Sequence, residues 1–544
     1  MSLEVLVREN EGLREQITVR DERLAKHESR IADLESQLEQ LAEKLHLTAK
    51  ERRLLEQQLA RLQGLRRRHP FLDPGQGAFD FGDGTPGAEL EERPEHVGEA
   101  PDGETPDDSI RQRHKPKQPA RKIDTSSLPV EHRYHELPPE ERVCQVTGKP
   151  LVAVGEKLEE EIQFEPGYVK RIVHHCVVYG ISEEDARERQ GPEVMAPGPV
   201  RPLEGSIAGA LLLAWILVQK YVRHLPLYRQ ETILAQHGLR IPRQTTCDWV
   251  MRAAYQLGPI QAALRREIIA SGVVQVDDTP VKCQLGKGRG NILAHLWTTV
   301  SPLAEGVVYD FSESREHEHL FEILSGFRNG VLLGDGYAGY DAFANTRPGV
   351  VVAGCWAHAL RKFRDALSEA PILAVSAMTH IGKLFDLEKK VTDEELSLEE
   401  RLALRRRESA KVIEALEKEV RGWRELYSES GQMGTACKYL ENQREHLRVF
   451  LDDPRVPIHN NACEVSIRPV AIGRRNWLFA GSPRGGRAAA TIYTLVESCK
   501  LVGVDPELYL ADVLTRVATH PASRVHELIP ANWRSLYAPA AIAS

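Results

Sequence analysis

Val273-Val-Gln-Val-Asp-Asp-Thr-Pro280 is a run of β-branched residues that stops at a pair of carboxylates. Such side chains fit a pleated, buried surface, so the stretch predicts a strand closed by Asp277. The pattern returns at Val331-Leu-Leu-Gly-Asp-Gly-Tyr337, where a short apolar strand gives way to Asp335. Between them lie strand candidates at 294–300 and 306–310 and a helix over 316–324, and beyond them a strand at 350–353 and a helix from about Trp356. Three hairpin-linked strands followed by alternating helix and strand predict a mixed α/β sheet with both aspartates at strand ends, where sites form.

A third carboxylate, Glu464, ends His459-Asn-Asn-Ala-Cys-Glu464 in a predicted short helix. The stretch before it, 363–452, is helical and rich in Glu, Arg and Leu, and reads as an insertion into the sheet domain. Three acidic groups gathered from distant sequence are the oxygen ligands that a pair of Mg²⁺ ions needs, with positions left open for phosphate. Such a pair cleaves and transfers phosphodiesters without Cys or His ligands. Plainer readings exist for each residue. Asp335-Gly336 is a common turn, Asp278 competes with Asp277 as the ligand, and Asn461-Ala-Cys-Glu464 matches a helix capping box.

At 544 residues, 42% apolar and 28% charged, the chain predicts several globular domains. Its first ten residues carry charges where a signal peptide needs an apolar core, so no secretion signal is expected. The longest apolar run, 207–218, is shorter than the roughly 20 residues a membrane span requires. No membrane partner and a cytoplasmic location are the resulting expectations. The eight cysteines include no C-x-x-C pair, which predicts reduced thiols. The net charge of −8 is misleading: residues 71–110 hold twelve acids against Arg93 alone, and without them the chain carries +3.

Residues 1–66 carry a heptad, with a positions from Leu3 to Leu59 and d positions from Leu6 to Leu62, mostly Leu and Ile. This predicts a coiled coil and a homo-oligomer, Asn10 at an a position setting the register. Residues 67–128 predict a disordered linker rich in Gly, Pro and acids that turns basic over 111–122. Residues 129–200 predict a small β-rich module in which Cys144, Cys176, His174 and His175 make only a weak metal set. Residues 203–265 predict helices, the first capped by Ser206. His237-Gly238 then separates two of them, with Arg240, Arg243, Gln244 and Thr245 at the start of the second. That is the arrangement of a helix-turn-helix entering a major groove, and equally of a plain helical hairpin. Downstream of Glu464, Arg468, Arg474, Arg475, Arg484 and Arg487 occur with no acid between 465 and 496, interleaved with Trp477 and Phe479. Such a stretch suits a phosphate backbone, or else a structural arginine cluster. His358, on a helix with Arg361 and Lys362, reads either as a residue approaching DNA or, the favoured reading, as a satisfied core histidine.

His224-Leu-Pro-Leu-Tyr-Arg-Gln230, Asp335-Gly-Tyr-Ala-Gly-Tyr340, Cys355-Trp-Ala-His358, Asn460-Asn-Ala-Cys-Glu464 and Gly473-Arg-Arg-Asn-Trp-Leu-Phe-Ala-Gly-Ser482 resemble transposases of the insertion sequence 66 family. Val504-Asp-Pro-Glu-Leu-Tyr-Leu510 and Glu527-Leu-Ile-Pro-Ala-Asn-Trp533 resemble that family's C-terminal tail. The resemblance implies an RNase H-like DDE domain over 270–365 and 455–500, a helical insertion at 366–454 and a helical tail at 501–544. It places Asp277, Asp335 and Glu464 on the catalytic, metal-holding positions, with two Mg²⁺ (or Mn²⁺) ions. The implied activity is cleavage of double-stranded DNA at mobile-element ends and transfer of the freed 3′ hydroxyl into target DNA, in a protein associated with the bacterial nucleoid and open to accessory transposition proteins. The family's zinc-binding cysteine pairs are reduced to Cys144 and Cys176, so Zn²⁺ is not expected. Asp278 stands where the family usually has Glu, and Val465 where an Arg commonly follows the catalytic Glu. Two alternatives fit the same residues: an RNase H-like nuclease without strand transfer, and a non-enzymatic DNA-binding scaffold or decayed copy.

Overall fold

The computed structural model describes residues 125–538, apart from 127, 144–149, 166, 181–193 and 287–289. The heptad segment, the acidic linker and Cys144 lie outside the described residues.

The first sheet contains β1 (Val130–His135), β2 (Val152–Glu165), β3 (Tyr168–Gly180) and the short β4 (Val194–Met195). Its order is β1-β3-β2, with β4 also pairing β3, and β1 runs parallel to β3. The long β2–β3 ladder alternates, so Ile162 turns inward and is fully buried. Ile162 also fastens this sheet to the first long helix. Its N–H donates to the Ile207 carbonyl at 2.6 Å, and its own carbonyl accepts the Gly209 N–H at 2.8 Å. That clamp starts α1 (Ala210–Tyr221) at Gly209 rather than at Ser206. Ser206 instead accepts the Ala208 N–H, so its expected cap is corrected to a local turn before the helix.

Nearly every side chain of α1 is buried, as an apolar run without a polar face requires. Next come α2 (Leu227–Gln236) and α3 (Arg243–Ala270), separated by a turn in which Gly238 takes φ +82°. The later half of α3 is not free to meet a ligand. Ile260, Leu264 and Ile268 pack into one core with Val274, Val276 and Val307 of the second sheet.

That sheet is built from β5 (Val273–Gln284), β6 (Asn291–Val300), β7 (Val307–Ser312), β8 (Asn329–Gly334) and β9 (Gly349–Gly354), in the order β7-β6-β5-β8-β9. β5, β6 and β7 are antiparallel, and β8 and β9 add in parallel. α4 (Glu318–Ile323) and α5 (Ala338–Asn345) make the two crossovers. β5 does not end at Asp277 as expected; it runs on to Gln284. Its pairing to β8 stops at Gln275, however, so from Asp277 to Val281 that edge of β5 has no strand beside it, before Lys282 and Gln284 pair with Ala480. Pro280, which has no N–H to give, is tolerated on such an edge.

α6 (Trp356–Asp365), α7 (Pro371–Asp393), α8 (Leu398–Leu404), α9 (Ala410–Arg424), α10 (Gln432–Asn442) and α11 (Arg444–Arg448) follow, and all but α8 contribute to a second core around Trp356, Phe363 and Ile381. The chain then returns to the sheet through α12 (Asn461–Trp477) and α13 (Pro483–Leu501). It closes with α14 (Pro506–Arg516) and α15 (Pro530–Leu536), locked where the Tyr509 hydroxyl donates to the Leu528 carbonyl at 2.6 Å. Among the described residues no helix is long and apolar enough to cross a membrane, and the seven described cysteines are unpaired.

Candidate active site

Asp277 sits where β5 loses its β8 neighbour, Asp335 directly follows β8, and Glu464 lies in the first turn of α12. Register fixes the first two. Val273 pairs with Val331 and Gln275 with Leu333, so the aspartates stand at equivalent heights beyond the last paired residues. Asp335 is turned by its own loop: its Oδ1 accepts the Tyr337 N–H at 3.0 Å, across Gly336 at φ +95°. A left-handed residue is needed there, and glycine supplies it without strain.

Glu464 is delivered by the segment before it. Gln275 Nε2 donates to the His459 carbonyl at 3.2 Å, the fully buried Asn460 donates Nδ2–H to the Val276 carbonyl at 3.1 Å, and the Asn460 N–H meets Cys355 Sγ at 3.2 Å. Cys463 Sγ adds a contact to the Thr298 carbonyl at 3.1 Å. The start of α12 is thus pinned to β5, β6 and the end of β9. Asn460→Ala is expected to leave the Val276 carbonyl with the Tyr340 hydroxyl as its remaining side-chain donor and to cost about 1 kcal/mol for the lost hydrogen bond. Urea denaturation checks this, and an unchanged midpoint contradicts it.

The capping-box reading of Glu464 is corrected. Asn460, not Asn461, borders the helix, and no side chain caps it. The Glu464 carboxylate faces α6 instead, with Arg361 Nη2 at 3.4 Å from Oε2 and His358 Nδ1 at 3.7 Å from Oε1. His358 is likewise not a satisfied core histidine, for its Nδ1 is buried without a hydrogen bond. Burial holds His358 below its usual pKa against the pull of Glu464.

Asp277 feels all three neighbours. Burial first, then the charges of Asp335, Glu464 and Asp278, push its carboxyl well above the usual range, and only the Asp278 N–H opposes them. The charges of Asp335 and Glu464 both act on Asp277, so the three carboxylates border one site. Glu464 Oε1 is also buried without a hydrogen-bond donor. Hard oxygen donors gathered at one site fit divalent ions of the Mg²⁺ type. A rival set, Cys355, His358 and Glu464, brings its ligand atoms within 4.8 Å of one another. Burial and the Glu464 charge push the Cys355 thiol up to about 12, so it is poorly suited to act as the thiolate a soft metal wants.

Asp278 is taken out of contention as a ligand. Its oxygens bond His295 Nδ1 at 2.6 Å and Arg315 Nε at 2.8 Å, and its side chain is only 3% exposed. Of the basic candidates, Arg240, Arg243 and Gln244 are exposed at the start of α3, with Thr245 partly so. Arg243 lies 3.4 Å from Glu231. Arg475, Arg484 and Arg487 are exposed, and Arg468 is half-buried. Arg474 turns inward to Thr279 Oγ1 and the Pro280 carbonyl, tying α12 to β5. The residues around the three acids that sequence reasoning missed are Arg315, His295 and Asn460. They sit in a polar loop, mid-strand and at a helix border, where no periodicity marks them.

The family described as Transposase IS66 family matches residues 205–488, and the IS66 C-terminal element matches 494–531. The chain is 33% identical to the uncharacterized protein y4hP of Sinorhizobium fredii (strain NBRC 101917 / NGR234), over 62% of this chain and 64% of that protein. It is also 33% identical to y4qI of the same strain, over 74% of this chain and 76% of the relative. A third relative there, y4jD, is 31% identical over 73% of this chain and 80% of its own length. With matched segments that run through all three acids and both sides of the helical insertion, the chain belongs to the IS66 family of transposases.

Proposed function

We propose that the chain is a DDE-type DNA transposase whose RNase H-like domain, residues 270–365 and 455–500, works through Asp277, Asp335 and Glu464. The single observation that carries this is the convergence of three distant segments, Asp277 where β5 parts from β8, Asp335 directly after β8, and Glu464 in the first turn of α12, which Asn460 ties to β5. Support for the domain comes from the sheet order, in which the first three strands are antiparallel and two parallel strands add beside the first. The three acids would hold two Mg²⁺ or Mn²⁺ ions. Such ions, when bound, activate the attacking oxygen and stabilise the leaving one.

The chain's own residues supply position. Asn460 and Gln275 fix Glu464 against β5, the Asp335 turn fixes the second acid, and Arg361 restrains Glu464 from α6. In the first step water attacks the phosphodiester at an element end, one P–O bond breaks and a 3′ hydroxyl is freed. In the second that hydroxyl attacks a target phosphodiester, so one P–O bond forms as another breaks and no external energy source is needed. DNA would be held by the exposed arginines of α12 and α13 and by the start of α3. The heptad segment would pair two chains.

Strand joining separates this reading from its alternatives. Purified protein, Mg²⁺, a duplex carrying an element end and a supercoiled target plasmid are expected to give joined products, abolished by EDTA. Hydrolysis alone would indicate a nuclease. Duplex binding without any cleavage would indicate a scaffold.

A further inference from the structure

We propose that Arg315 is a phosphate-binding residue of this site, its guanidinium held ready by Asp278 to take a non-bridging oxygen of the DNA phosphodiester beside the carboxylates. The assignment rests on the two-metal reading of the three acids. Arg315 lies in the loop after β7, and its Nε is bonded to the buried Asp278. Asp278 is itself fixed from the other side by His295. The guanidinium sits 4.6 Å from the centre of the Tyr337 ring, whose hydroxyl donates to the Arg315 carbonyl at 2.5 Å. The arm is therefore oriented by Asp278 at its Nε edge and by the Tyr337 ring over its face.

Its other edge faces Asp335 and solvent. Nη2 stands 3.6 Å from Asp335 Oδ2, beyond hydrogen-bonding range, and the side chain is 45% exposed. Arg405 in the insertion shows what a structural arginine looks like in the same molecule. It is buried to 1%, with Nε and Nη2 on Glu388 and Nη1 on the Phe450 and Asp453 carbonyls. Arg315 has the anchoring of a built residue and the exposure of a binding one. A planar fork pinned through Nε presents its remaining N–H groups together, the geometry that matches two phosphate oxygens. Beside Asp335 it also offsets acidic charge in the metal-free protein. Cations on that carboxylate would free the outer edge for an anion.

The test compares full-length parent, Arg315→Ala, Arg315→Lys and Asp335→Asn. Mn²⁺ binding without DNA is read by electron paramagnetic resonance, and single-turnover cleavage is read on a duplex carrying an element end. Arg315→Ala is expected to bind Mn²⁺ at least as tightly as the parent yet cleave about 100-fold more slowly, the scale of losing one charge-stabilising donor. Arg315→Lys is expected to recover part of that loss, and Asp335→Asn to lose Mn²⁺ binding. Cleavage by Arg315→Ala within about threefold of an active parent overturns the assignment alone, as does loss of Mn²⁺ binding equal to that of Asp335→Asn. A parent that neither binds Mn²⁺ nor cleaves overturns the two-metal reading, and this assignment with it.

Discussion

Asp277→Asn is expected to slow Mg²⁺-dependent cleavage at element ends by at least about a thousandfold, some 4 kcal/mol on the barrier, while making the metal-free protein more stable. The two effects have one cause. Asp277 is buried and faces Asp335 and Glu464, so its negative charge is costly until a cation arrives. Asparagine keeps the shape and the bond from the Asp278 N–H but removes the charge, so metal binding falls and repulsion is relieved together. A gain of about 1 kcal/mol in unfolding free energy without metal is the expected size. The same charge sets the sign of the pH effect. A carboxyl whose pKa is raised by folding binds its proton more tightly in the folded state, so metal-free parent protein loses stability as pH rises from the ordinary carboxylate range through the raised value. Asp277→Asn flattens that slope. A variant that cleaves like the parent, or a metal-free variant less stable than the parent, contradicts the placement of charge.

Gly330→Ala is expected to destabilise the protein by about 3–5 kcal/mol, large for one methyl group. Gly330 takes φ +127°, which alanine rarely adopts, and an added Cβ would stand 2.1 Å from the backbone oxygen of Gly272. Neither atom belongs to a flexible side chain, so the strands themselves must part. The same Gly272 carbonyl accepts the Val331 N–H at 2.9 Å, the contact that opens the β5–β8 ladder. Asp277 lies five residues beyond Gly272, and Asp335 five beyond Gly330. Separation there shifts one aspartate against the other, so Mn²⁺ affinity is expected to fall with the urea midpoint. A loss below about 1 kcal/mol would mean that the ladder tolerates an open end.

Much of the sheet was legible because its strands are apolar and largely buried: Val273 to Val276, Val331 to Leu333, and Val350, Val352 and Ala353 form the buried parts of β5, β8 and β9. The length of β5 was not legible, since Asp-Asp-Thr-Pro looks like a terminus until the missing neighbour beyond Gln275 is known. Ser206 has the chemistry of a cap, but a backbone clamp from Ile162 decides where α1 starts. The arginines after Glu464 look alike in sequence. Only the fold turns Arg474 onto Pro280 while leaving Arg475 and Arg484 outside. Arg315 lies in a loop of Ser, Glu and His whose composition suggests only solvent exposure, and its meaning comes from Asp278 and Asp335, which flank it in space.

The most direct measurement is a crystal structure of the full chain grown with Mn²⁺, with manganese located by anomalous scattering. Two peaks about 3.5–4 Å apart, bound by Asp277, Asp335 and Glu464, are expected. Manganese held by Cys355 and His358 without either aspartate, or no manganese among the three acids, would contradict it.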